Sequence, residues 1–378
     1  MSTTTLNEPA SAPLASSVAL TGVLHVYVAF DWGEELDLEQ ARRLVPAEIR
    51  DLPRRRRTPS SIVYRPPPLR IALPPVALDL PEAGTVQATA EATVFDFAGV
   101  SLALHVPFSL TADALSRLAG WLADSTPLLK AARATLDPLH KQLLPALHDP
   151  LWTEDLNEEY LVFQLPPSNG LEPTFLVDGG AGWLAGLVRL EAGPLSAAEI
   201  KEALRLHIGY SPADMFIPDW AAGFLLDHDC DETLQTIEFA NLQLLEYRHI
   251  DNRLDDALAG ASRLTEWKRR SWLRFFRSYD RPLRTLGELK VEANGLFERT
   301  GNALKLLGDQ YLARVYRLAA TRFHLKEWER NIQRKLEVAE GVYQVVSDQA
   351  VSYRMEFLEI IVILLITLEI VLTLARHH

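Results

Sequence analysis

The sequence predicts an α+β N-terminal domain, an all-α helical region behind it and a single transmembrane helix at the C-terminus. Three observations carry this. Nine of the 23 prolines fall between Pro46 and Pro81, only Pro282 follows Pro218, and residues 283–378 contain none. Proline removes a helical donor and clashes with the preceding turn, so the last third of the chain is free to form long helices. Short β-branched and aromatic runs alternate with turn residues as far as Leu226. Finally, Phe357–Ala375 reads FLEIIVILLITLEIVLTLA. As a helix it would rise about 28 Å, close to the roughly 30 Å hydrocarbon thickness of a bilayer.

The elements follow in order. Residues 1–20 hold one charge, Glu8, among Ser, Thr, Pro and Ala, and are expected to be a disordered tail. Val23–Phe30 (VLHVYVAF) reads as a buried strand, Glu39–Ile49 as a helix, and Ser61–Leu73 as extended around three prolines. Thr85–Phe97 and Val100–Val106 can pair across Ala98-Gly99. Ala112–His148 is helical with a break near Asp137-Pro138. Tyr160–Leu165 and Trp183–Leu190 read as strands, Ser196–His207 as a helix, and Met215–Leu226 as a strand or hairpin. Phe30-Asp31-Trp32-Gly33, Phe95-Asp96-Phe97-Ala98-Gly99 and Pro218-Asp219-Trp220-Ala221-Ala222-Gly223 echo one another, either as a β–turn–α repeat or by chance.

From Asp231 apolar residues recur at a helical period as far as Gly260. A second helix with an aromatic stripe at Trp272, Phe275, Phe276 and Tyr279 is expected to end near Asp280, because Pro282 disfavours helix before it. From Leu304 every seventh residue to Ile360 is apolar, through Tyr311, Leu318, Leu325, Ile332, Ala339, Val346 and Tyr353. Such a stripe serves either packing against the preceding helices or a supercoiled stalk shared between chains. The expected domains are thus 1–20 tail, 21–228 α+β, 229–355 bundle or stalk, and 356–376 tail anchor.

The anchor carries two acids. Glu359 can reach the interface, whereas Glu369 lies near mid-span and suggests that the segment faces another helix. With no export signal at the N-terminus, the expected location is the inner (cytoplasmic) membrane, single-pass, with the bulk of the chain cytoplasmic.

Ile237–Glu246 (IEFANLQLLE), the stretch Leu318 to Tyr343, and Arg354-Met355-Glu356-Phe357-Leu358-Glu359 leading into an apolar run with a late Glu369 together resemble the required-for-meiotic-nuclear-division family. The likeness is best over Met215–Val371 and fits a bacterial member. That family is of unknown molecular function, and its eukaryotic relatives are mitochondrial inner-membrane proteins that support translation. The resemblance implies a membrane-anchored, non-enzymatic partner protein and brings no catalytic residues with it.

Charge narrows the partners. The chain carries −12 overall, which argues against DNA binding by the whole molecule, and Cys230 alone excludes an intrachain disulfide framework. Positive charge is concentrated at residues 42–70, net +7, and 263–284, net +6, leaving −25 on the rest. Arg54, Arg55, Arg56 and Arg57 in a Pro-rich loop, with Arg270, Arg274 and Arg277 on one helical face, are the candidate phosphate-binding residues. The competing reading pairs the second set with the acids of residues 231–256. The run Asp227-His228-Asp229-Cys230-Asp231-Glu232 offers metal-ligand chemistry, but helix capping accounts for it. Gly179-Gly180-Ala181-Gly182 lacks the Gly-Lys-Ser/Thr of a phosphate loop and reads as a turn before a strand.

The expected function is a non-enzymatic membrane scaffold or tether. It has no cofactor or metal, and its partners are the membrane, further copies or a membrane complex, and ribosome or RNA. The alternatives are a metal-dependent protein using residues 227–232, or a small-molecule sensor in the α+β domain.

Overall fold

A computed structural model describes residues 19–45, 66–124, 126–153, 156–266, 280–306 and 310–376. The chain divides into two compact units, residues 1–246 with 300–326, and residues 247–299 with 327–378.

The first unit is built on a seven-stranded sheet. Strand β1 (Ala19–Asp31) is central and is followed by the short β2 (Glu35–Leu36). Helix α1 (Leu38–Leu44) starts where the Asp37 side chain accepts from the backbone N–H groups of Glu39 and Gln40, both at 3.0 Å. Strands β3 (Leu69–Leu80), β4 (Gly84–Val94) and β5 (Gly99–Thr111) form a meander. Pro74 and Pro75 occupy a register shift in β3, a strand at the sheet edge where missing donors are tolerated. The β4–β5 pairing confirms the hairpin expected across Ala98-Gly99, with Ala98 at φ 59°.

Helices α2 (Ala112–Leu122) and α3 (Thr126–Leu143) follow. The chain breaks before α3, where Asp124 accepts from the Thr126 N–H at 3.1 Å, and Pro138 lies inside α3. The short β6 (Leu147–His148) pairs with β2, and β7 (Asn157–Leu165) joins the main sheet beside β1.

Helices α4 (Pro173–Val177), α5 (Ala181–Arg189) and α6 (Ala197–Ala203) come next. The expected strand at Trp183–Leu190 is therefore a helix. Leu184, Leu187 and Val188 recur at helical spacing and are buried, and Leu190 ends the helix in the left-handed region at φ 57°. Strands β8 (Met215–Pro218) and β9 (Ala222–Leu226) close the sheet in the order β3-β4-β5-β1-β7-β9-β8. All pairs are antiparallel except β7 with β9. Helices α1 to α6 pack on one face around Leu24, Val26, Val28 and Phe30 of β1. The three echoing motifs share only a position at strand ends: two turn into β-hairpins and the first leads into β2.

Helix α7 (Asp231–Glu266) runs on past Gly260, where the sequence suggested an end. Its first half, to Glu246, covers the opposite face of the sheet together with α9 (Gln310–Arg322). Helix α8 (Asp280–Leu306) begins where a helix was expected to finish. Pro282 sits in its first turn, where the missing N–H has no intrahelical partner to lose.

The second unit comprises the rest of α7, α8 to residue 299, and α10 (Leu325–Arg376) from residue 327. Ile250, Leu254, Leu289, Ala293, Ile332, Leu336, Ala339 and Tyr343 are buried here. Polar contacts frame them. Arg253 donates to Glu292 at 2.7 Å, Lys335 meets Asp251 and Asp255 at 2.7 Å each, and the Tyr343 hydroxyl donates to the Ala257 carbonyl at 2.9 Å. The seven-residue stripe thus packs, over Ile332–Tyr343, on helices of its own chain.

The expected transmembrane helix is overturned, and with it the tail anchor and the inner-membrane location. Among the described residues no helix is long and apolar enough to cross a membrane. The apolar run lies at the end of the long helix α10. Glu359 and Glu369 interrupt it.

Candidate functional site

Alternation along β1 puts His25 and Tyr27 on the face opposite the main core. The register sets His105 beside His25 on β5, and Gln164 two residues along from His25's partner Val162 on β7, on the same face. Arg70, Glu91, Thr93 and Ser101 continue this polar layer across β3, β4 and β5. Helix α7 closes over it with Glu238, Asn241, Leu242 and Leu245.

The hydrogen bonds fix the tautomers. Gln164 donates through Nε2 to the Asp227 carbonyl at 3.2 Å, which turns its Oε1 toward His25 Nε2 at 2.8 Å. His25 therefore carries its proton on Nε2 and accepts at Nδ1, and His105 donates from its own Nδ1 across 2.7 Å. Burial lowers both imidazoles to about 4, helped at His25 by His105 and at His105 by the Arg70 cation.

Arg70 faces two carboxylates, Glu91 at 3.1 Å and Glu238 at 3.5 Å. Burial raises the Glu238 pKa, while Arg70 and the hydroxyls of Ser101 and Thr93 oppose the rise. Burial also raises the Tyr27 hydroxyl, with Glu238 adding to it. A largely buried layer of this kind orients α7 on the sheet through directional contacts.

A second polar knot lies at the β8–β9 turn. Asp219 is 1% exposed, pairs with Arg189 at 2.8 Å and lies 3.7 Å from Arg322. Burial raises the Asp219 pKa against the pull of both arginines. Arg322 donates to the carbonyls of Glu202, Ala203 and Pro218 at 2.6, 3.0 and 3.2 Å, so α9 caps the end of α6 and the turn together. Trp220 at the tip stays 69% exposed.

The site residues expected from sequence fare unevenly. Arg54, Arg55, Arg56, Arg57, Arg270, Arg274 and Arg277 lie outside the described residues. Glu359 and Glu369 are exposed on α10. They sit in a run where Leu358, Ile360, Val362, Ile363, Leu364, Leu365, Ile366, Leu368, Ile370, Val371 and Leu372 are each 52–62% exposed. At 100° per residue these cover every face of the helix.

In the 227–232 run, Cys230 is buried with its thiol raised to about 12 by burial, then by Asp231 and Asp227. Its carbonyl takes the first α7 hydrogen bond, from Leu234 at 2.8 Å, and Asp231 and Glu232 occupy the first turn. The residue before the helix is thus Cys230 rather than the expected cap, Asp229 or Asp231, while the two acids of the first turn suit the helix dipole. Among the described residues, a group with metal-ligand spacing forms elsewhere. The β2–β6 pairing brings Glu34, His148 and Asp149 together, with ligand atoms within 4.8 Å and all three exposed. No local spacing could reveal it, nor the buried layer, whose members come from residues 25 to 238.

Residues 21–232 match the family described as "Uncharacterized protein MJ0711, N-terminal domain". A relative from Methanocaldococcus jannaschii, "Uncharacterized protein MJ0711", is 28% identical over 208 residues, covering 54% of this chain and 63% of that protein. The match thus spans less than two thirds of the relative's length. No solved structure matches. The required-for-meiotic-nuclear-division name is not confirmed, since the matching family is a different one and falls mainly on the preceding half of the chain.

Proposed function

Because the chain belongs to the family of the MJ0711 N-terminal domain, whose description assigns no activity, we propose its function from its own residues: a non-enzymatic scaffold that assembles through the apolar end of α10. One observation carries the reading. The eleven exposed aliphatic residues of Leu358–Leu372 point in all directions from one helix. An apolar surface of that extent is unstable in water until a partner covers it, and coverage of every face needs several helices rather than one. Further copies of the same segment supply such a bundle.

The test compares the intact chain with one ending at Met355, by light scattering coupled to size exclusion. The intact chain is expected at a multiple of 42.4 kDa and the shortened chain as a monomer. A monomeric intact chain would overturn the reading, as would an intact chain that leaves solution only with lipid vesicles.

A further inference from the structure

The buried histidines form a relay that ends at the start of α7. His105 bonds His25, His25 bonds Gln164, and Gln164 bonds the Asp227 carbonyl, four residues before α7 opens. We propose that the His25–His105 pair is an acid-sensitive latch that holds the first half of α7, residues 231–246, against the sheet.

The geometry sets the proton capacity of the latch. The neutral pair holds one proton between two facing Nδ1 atoms 2.7 Å apart. One added proton can be taken up: His25 becomes protonated at Nδ1 and donates back to His105 Nδ1, whose own proton is then carried on Nε2. A second added proton sets two N–H groups, and two positive charges, against each other across the same gap. The rings must then separate, and Gln164 loses its fixed partner.

The surrounding charges shape the response. From β3, Arg70 disfavours added positive charge; from β4, Glu91 is held by Arg70. Tyr27 stacks beside His25 on β1, and Tyr160 and Gln164 face from β7. From the α7 side, Asp231 favours the protonated His25, while Glu238 is tied to Arg70 and Cys230 stays a thiol. Apart from Asp231, then, the layer offers the second proton no unshared counter-charge, and release of the helix is the available response.

Hydrogen–deuterium exchange of the full chain, corrected for intrinsic rates, tests this at pH 7 and pH 4.5. Amides of residues 227–246 are expected to lose roughly tenfold more protection than those of α2 on acidification. In the double variant His25→Gln, His105→Gln the extra loss should vanish. If that variant does not fold, His105→Gln alone keeps a donor toward His25 and should shift the loss to lower pH. The ring signals of carbon-13-labelled histidine in the unmodified chain give an independent readout. Equal loss in α2 and residues 227–246, an unaltered loss in the variants, or buried imidazoles titrating near 6.5 would each overturn the latch.

Discussion

Arg322 shows how one side chain can be indispensable without touching a ligand. Its guanidinium meets three backbone carbonyls and sits beside the buried Asp219. Arg322→Met leaves those acceptors unpaired at an apolar site and is expected to cost about 3 kcal/mol in chemical denaturation. Glu238 should behave differently. With Glu91 still available to Arg70, Glu238→Gln removes a surplus buried charge and should change stability by less than about 1 kcal/mol, whereas Arg70→Met should cost several times that. The two histidines set a pH dependence. Their folded pKa of about 4 lies below the ordinary 6.5, so between these values the unfolded chain binds protons that the folded chain refuses. Stability should therefore fall as pH drops from 6.5 toward 4, by a few kcal/mol, and these groups contribute no slope above 6.5. Urea midpoints taken across that range check the sign.

At the scale of elements, glycines separate crowded strands from open helices. A methyl group on Gly22 of β1 would lie well inside contact distance of the Gln164 carbonyl and 2.7 Å from the Phe108 ring. Gly22→Ala should thus cost more than about 2 kcal/mol by strain. Gly287 in α8 has nothing near the corresponding position, and Gly287→Ala should gain roughly 0.5–1 kcal/mol through helix propensity. Thermal midpoints moving in opposite directions would confirm the contrast. The same locality explains what was readable beforehand. Strands β1, β4, β5, β7, β8 and β9 announced themselves because period-two runs and their turns are local signals. Trp183–Leu190 did not, since eight mostly apolar residues suit a strand or a helix equally and only burial of Leu184, Leu187 and Val188 decides. Pro282 was read as a stop although proline equally suits a helix start. His25 and Tyr27 were legible as strand residues but not as a polar face, because Arg70, Glu91, His105 and Glu238 join them only through register and α7.

For the whole molecule, the family match ends at residue 232, just as α7 begins, while the first compact unit extends to Glu246 and takes in residues 300–326. A fragment ending at Glu232 would bare Ala29, Phe95 and the polar layer on the second sheet face. It should bind a hydrophobic dye and lose cooperative unfolding, whereas a fragment ending at Lys326 keeps the whole first unit and should retain that unit's cooperative transition, with residues 247–299 left without their α10 partner. Helix α10 sets a further constraint. Its 52 residues amount to about 78 Å, and Leu358 lies about 50 Å along it from Leu325. The helix is thus a ruler as well as a contact. Adding seven residues near Glu337 would lengthen the reach by about 10 Å and turn the apolar end by only about 20°, whereas adding five would turn it by about 140° for about 7.5 Å. If partners are sensed by reach, both kinds of insertion will disturb assembly; if by angular phase, the heptad insertion alone will be silent.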